Sequence, residues 1–337
     1  MAASSVDVAQ LIELALALIT FSFILVAANL GDSSSAWRIV AFSGEVGLCA
    51  VVAALAVLNI ITVLVIPASV QATTGLPASR VIGGNLLQLA GALAAPLVML
   101  PAIRRQVGRL LRDFRPESAI NAVGASMYVL VVTLFLSLQF STDQLKQIKQ
   151  SGESPSLLYI ISTNQLPFLI VGIVGVGLFV RRSPGEALKR LGLVWPGWRW
   201  IGAGALVAVL LVFFGIAFDQ LITKLTPDQS KSINEASQQL LANVTSPLAA
   251  VALALAAGIG EEVLFRGAIQ PRLGIVAAAL MFAVLHTQYA ISLASLEIFI
   301  LGIALGWLRQ RGSTTAAIIA HSGYDLILLM IPFVLHH

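Results

Sequence analysis

The chain has 337 residues, 58% of them hydrophobic and only 11% charged, less than half the charged fraction of roughly a quarter that soluble domains carry. Several apolar runs reach the about 20 residues that span a bilayer, which excludes an ordinary soluble globular protein. The net charge of +4 is no nucleic-acid signature, because Arg and Lys stand at the ends of apolar runs rather than in patches interleaved with exposed aromatics; they act as topology signals.

In chain order, the apolar runs predict an all-α, polytopic transmembrane helical bundle of about eight to ten spans, at residues 8–30, 47–66, 81–103, 119–140, 157–180, 201–221, 247–270, 273–290, 293–309 and 315–335. No Lys or Arg precedes the first run and no small-residue cleavage site follows it, so a retained span is expected rather than a cleaved signal. Cys49 is the single cysteine and lies inside an apolar run, so no intrachain disulfide can form.

Arg104, Arg105, Arg109, Arg112 and Arg115 follow the third run, and Arg181, Arg182, Lys189 and Arg190 follow the fifth, an even number of crossings later. Both clusters can therefore be cytoplasmic. The same count places Arg266, Arg272, Arg309 and Arg311 inside, and the N-terminus and His336 with His337 outside. Lys146, Lys149, Lys224 and Lys231 fall outside but are diluted by Asp143, Glu153, Asp228 and Glu235. Residues 181–200 mix basic side chains with Trp195, Trp198 and Trp200, as an interfacial stretch does. Ile233, Ala236 and Leu240 give residues 223–246 the spacing of a short amphipathic helix. A natural division is an N-terminal transmembrane helical region, 1–246, and a C-terminal core, 247–337, holding every candidate functional residue.

That core begins with an anomaly. Glu261 and Glu262 end an apolar run, although a charged side chain near the bilayer centre costs about 2.5–3.5 kcal/mol on insertion scales. At about 100° per residue the two acids cannot face one cleft, whereas Glu262 and Arg266, at i and i+4, share a face. Glu262 is thus expected to pair with Arg266, leaving Glu261 free to take a proton from water. Both acids serving only to pair with arginines and hold helices together is an equally open expectation.

His286 ends the run that contains Phe282, and His321 shares a helical face with Asp325. A lone membrane histidine is often a hydrogen-bonding partner between helices. Two of them with a buried acid pair and Asp325 supply what hydrolysis needs, a base for water and polar groups for a developing oxyanion, with a peptide bond as the obvious electrophile. No serine or cysteine occupies a nucleophile motif, so activated water is expected without a cofactor. Zinc held by two histidines and a carboxylate stays as an alternative, although His-Glu-x-x-His is lacking. Haem ligation by the histidines and a proton-coupled relay are further alternatives.

The blocks Glu261-Glu262-x-x-x-Arg266, Phe282-x-x-x-His286 and His321-x-x-x-Asp325, in this order on membrane helices, resemble the CPBP family. That family contains the type 2 CAAX prenyl proteases and bacterial Abi relatives linked to bacteriocin processing and immunity. The resemblance covers about residues 246–335, and residues 187–193 are similar to the sequence that often precedes this core. It implies that Glu261 and His286 activate the attacking water and that His321 and Asp325 stabilise the oxyanion, with Glu262, Arg266 and Phe282 in support. Prenyl proteases typically carry Asn where Asp325 stands; an amide donates a hydrogen bond that an ionised carboxylate cannot, so prenylated substrates are not implied.

The expectation is an intramembrane endopeptidase in the cell membrane, with both termini outside and its site opening toward the cytoplasm. Its partners are a membrane-associated protein or peptide substrate and the lipid bilayer; the sequence leaves the oligomeric state open. A non-catalytic partner or immunity protein that keeps the fold is the rival. Straight helices would set His286 deeper than Glu261, so the reading requires tilted or broken helices around a water-filled cavity.

Overall fold

A computed structural model describes residues 8–66, 76–142, 145–146 and 154–335. Asp143, Lys149, Glu153, His336 and His337 lie outside the described residues. Among those described, the regular elements are helices: α1 (Val8–Leu30), α2 (Ser35–Val65), α3 (Ala78–Ala94, extended by a 3-10 turn to Met99), α4 (Pro101–Leu110), α5 (Ala119–Ser141), α6 (Leu157–Gly175), α7 (Pro184–Leu191), α8 (Trp198–Leu225), α9 (Pro227–Leu241), α10 (Pro247–Glu262), α11 (Gln270–Leu285), α12 (Leu293–Arg311) and α13 (Thr314–Leu335). A π-helical segment, Val263–Ile269, joins α10 to α11.

Nine helical stretches among the described residues are long and apolar enough to cross a membrane. Large apolar side chains such as Leu16, Leu64 and Phe213 stand exposed along them, as lipid-facing surfaces require and a soluble surface avoids. The chain is a multi-pass, all-α membrane protein.

Two expected spans change shape. The second begins at Ser35, not near residue 47, because its charged residues are satisfied within the fold: the Arg38 guanidinium donates to the Gly31 carbonyl, and fully buried Glu45 accepts from Ser126 Oγ at 2.7 Å. The expected seventh and eighth spans form one helical run of 39 residues, Pro247–Leu285. At 1.5 Å per residue a straight helix of that length would reach about 58 Å, nearly twice the roughly 30 Å hydrocarbon core. It is not straight. Gly274 has φ 85° and ψ 170°, a region essentially restricted to glycine, and the chain folds back there: Phe265, nine residues before it, meets Phe282, eight residues after it, with ring centroids 5.3 Å apart.

Contacts between connections sort into two ends. At one, Ser118 and Arg181 both reach Asp32, Arg272 donates to the Asp113 carbonyl, Arg190 to the Gly267 carbonyl, and the Thr314 amide to the Gly192 carbonyl. At the other, Asn243 donates to the Ser154 carbonyl and Tyr159 to Gln10. The basic loops gather at the first end, as alternating crossings demand. There, the Ser183 hydroxyl and amide cap α7 together with Glu186, whose carboxylate these bonds hold below its usual range. At the second end α9 buries Ile233 and Ala236, the amphipathic helix expected from their spacing.

Candidate active site

The helix carrying the acids is pressed against two neighbours at its glycines. A Cβ on Gly258 would lie 3.0 Å from the Ser322 amide nitrogen, and one on Gly260 would lie 2.6 Å from the Gln165 carbonyl oxygen. These close approaches seat α10 between α6 and α13. The π-helical segment starts one residue after Glu262; such insertions re-aim side chains within an otherwise regular helix.

Glu262 and Arg266 are both fully buried and bond at 2.7 Å, the pair expected from their spacing. The same carboxylate oxygen, Oε1, also accepts from His321 Nδ1 at 2.9 Å. Arg266 donates in addition to the Gly302 carbonyl at 3.2 Å, and its guanidinium lies 4.4 Å above the Phe282 ring centroid. α10, the π segment, α11, α12 and α13 are thereby tied at one point. Buried charges are tolerable when paired and hydrogen-bonded in this way.

Glu261 turns to the other side, toward His286. The His286 ring is oriented by its Nδ1, which lies 2.7 Å from the Phe282 carbonyl oxygen. A carbonyl only accepts, so Nδ1 carries the proton and Nε2 is left as an acceptor in the neutral ring. Nε2 lies 3.8 Å from Glu261 Oε2, which has no hydrogen-bond partner in the protein. Two acceptors at that separation do not bond each other but can share one water that donates to both. His286 also ends α11, at φ −80° and ψ 63°. Glu261 precedes Gly274 by thirteen residues and His286 follows it by twelve, so the two arms of the fold-back, each about 20 Å long, bring both groups to one depth. The depth mismatch foreseen from separate straight spans disappears because the first arm runs on as helix through the π segment to the glycine.

His321 Nε2 lies 3.5 Å from Asp325 Oδ2. A carboxylate therefore stands at each ring nitrogen, Glu262 at Nδ1 and Asp325 at Nε2. Phe282 is the hub: its ring centroid is 4.6 Å from that of His286 and 5.8 Å from that of His321. All seven residues singled out from the sequence thus converge. No group of three His, Cys, Asp or Glu side chains placed to hold one metal ion occurs among the described residues.

Three neighbours escaped the sequence. Tyr289 stacks on His286 at 6.1 Å between centroids, its only signal being an aromatic three residues past a histidine that ends an apolar run. Ser322 is buried next to His321 with its Oγ unpartnered, and so is the Gln165 side-chain oxygen. Gln165 sits on a span with no acid or histidine, where nothing local marks it.

The model of the type II CAAX prenyl endopeptidase Rce1-like family matches residues 243–327, about a quarter of the chain. No curated protein and no solved structure matches the chain. The matched segment contains Glu261, Glu262, Arg266, Phe282, His286, His321 and Asp325, the same residues that converge in space. Residues 243–327 are therefore similar to the Rce1-like domain, and that similarity supports the CPBP family of CAAX-type intramembrane proteases.

Proposed function

We propose that this protein is a glutamate-type intramembrane endopeptidase that hydrolyses a peptide bond of a membrane-associated protein or peptide. The observation that carries the proposal is the meeting, at 3.8 Å, of an unpartnered Glu261 oxygen with Nε2 of His286, whose Nδ1 faces the Phe282 carbonyl. A water held between them attacks the scissile carbonyl carbon and yields its proton to this pair. The electron pair of the carbonyl moves to its oxygen. His321 is anchored on Glu262, and in its imidazolium form, with a carboxylate at each ring nitrogen, Nε2–H donates to that oxyanion. Collapse of the tetrahedral intermediate breaks the C–N bond, and the proton taken from water passes to the leaving amine. Asp325 orients and balances His321; Glu262, Arg266 and Phe282 hold the rings in place.

The core 247–337 is the catalytic unit and 1–246 its scaffold. The arginine-bearing end faces the cytoplasm, the termini face outside, and substrate enters from the cytoplasmic side. The test is purified full-length protein in vesicles with a mixture of membrane-anchored peptides, products read by mass spectrometry. Cleavage is expected to survive a zinc chelator. Glu261→Ala, His286→Ala and the double variant should lose activity to the same level, because groups acting on one water are not additive. Loss on chelation would replace this mechanism with the zinc one, and absence of any product with an intact fold would favour the non-catalytic partner.

A further inference from the structure

Lined by none of the seven candidate-site residues, a cavity of about 190 Å³ opens among α1, α5, α6 and the π segment. It is far larger than the roughly 10–15 Å³ that admits one water. Its body is apolar, lined by Leu25, Met127, Val131, Val171, Leu264 and Met281. Its mouth, at the basic end of the bundle, carries five arginines, Arg115, Arg181, Arg182, Arg190 and Arg272, against one carboxylate, Asp32.

Those arginines are only partly engaged. Arg181 pairs with Asp32, while Arg182, Arg190 and Arg272 each donate to a backbone carbonyl, of Val176, Gly267 and Asp113. The Arg115 guanidinium makes no hydrogen bond or ion pair among the described residues. Burial, with Arg272 and Arg182 nearby, pushes Arg190 down to about 10, and burial with Arg181 and Arg272 lowers Arg182. A ring of five arginines that outnumbers the acids near it, Asp32, Asp113 and Glu186, over an apolar hollow is the complement of a molecule with a phosphate at one end and hydrocarbon at the other. Guanidinium groups bind phosphate through paired, charge-assisted hydrogen bonds, and basic pockets between membrane helices suit anionic headgroups. Asn29, 1% exposed, also lines the cavity, and its Oδ1 lacks a partner; a headgroup hydroxyl would supply the missing donor.

We propose that this cavity is a binding site for one anionic phospholipid, its phosphate among the five arginines and the start of its acyl chain against Leu264 and Met281. The site is separate from the candidate active site and does not rest on the proposed reaction. It does share a wall with it, since Leu264 and Met281 are chain neighbours of Phe265 and Phe282.

The test uses full-length protein in neutral detergent and counts bound lipid by native mass spectrometry during titration with dioleoyl phosphatidylglycerol, dioleoyl phosphatidylcholine or inorganic phosphate. One phosphatidylglycerol should bind, at least tenfold more tightly than phosphatidylcholine, and inorganic phosphate at equal concentration should not displace it. Arg115→Gln, which breaks no side-chain hydrogen bond or ion pair among the described residues, should weaken binding about tenfold, whereas Arg112→Gln, an exposed arginine at the same end that does not line the cavity, should leave it unchanged. Gly124 lines the cavity and a Cβ there meets nothing within 4 Å, so Gly124→Leu should occlude the site and reduce binding at least tenfold without lowering the melting temperature. Equal binding to wild type, Arg115→Gln and Gly124→Leu would overturn the proposal, as would equal affinity for the two lipids. Displacement by inorganic phosphate alone would assign the arginines to a free anion and overturn the lipid site.

Discussion

Arg266 has no exposed surface, and Glu262 and the Gly302 carbonyl take its hydrogen bonds. Removing one partner of such a buried pair leaves the other charge uncompensated, at about 3–5 kcal/mol. Arg266→Ala should therefore lower stability by that amount, measured by unfolding in detergent, and activity should fall because Glu262, the anchor of His321, loses the partner that holds it. Glu261→Ala should behave oppositely: Glu261 Oε2 has no protein partner to lose, so unfolding should be unchanged while the rate falls about 10²–10⁴-fold. The difference between these adjacent acids was legible in the sequence, because 100° of helical rotation separates them and four residues bring Arg266 onto one face. The bond from His321 to Glu262 was not. It joins residues 59 positions apart, and helical periodicity says nothing about which face of a distant helix will arrive. Tyr289, Ser322 and Gln165 were illegible for the same reason.

Gly274 decides whether the two arms of the hairpin meet. A side chain at φ 85°, ψ 170° costs of order 1–3 kcal/mol, and relaxing that strain would shift one arm along the other. Gly274→Ala should lower the unfolding midpoint accordingly and should reduce activity more than that loss of stability explains, since a shift of about 1 Å in a reacting group can cost 10²-fold. An unfolding midpoint equal to wild type would show that the backbone there relaxes freely. The existence of each span was readable from hydropathy, but the fold-back was only half readable. A break near residues 270–273 was expected from where the apolar runs divide; that the helix continues through a π segment to the glycine, making the arms equal, depends on packing against α6 and α13. The second span was misjudged at its start because Arg38 and Glu45 look like a boundary until their partners, Gly31 and Ser126, are in place.

Over the whole molecule, the basic connections gather at one end and the Asn243 and Tyr159 contacts at the other. Cys49 is buried, so single cysteines introduced at exposed sites report topology without removing it. Gly185→Cys, at the basic end, should resist a membrane-impermeant thiol reagent in intact cells, and Thr245→Cys, at the other end, should react; the reverse pattern would invert the proposed orientation. Charge distribution along the chain made this arrangement legible, whereas the arginine-rimmed cavity emerges only when loops distant in sequence come together. The central claim, that Glu261 activates water for proteolysis, is tested most directly by comparing protein N-termini in host membranes lacking this protein and complemented with wild type or Glu261→Ala at equal levels. New N-termini are expected with wild type and are expected to be absent with Glu261→Ala. The same new termini in both strains, or none in either, would contradict it.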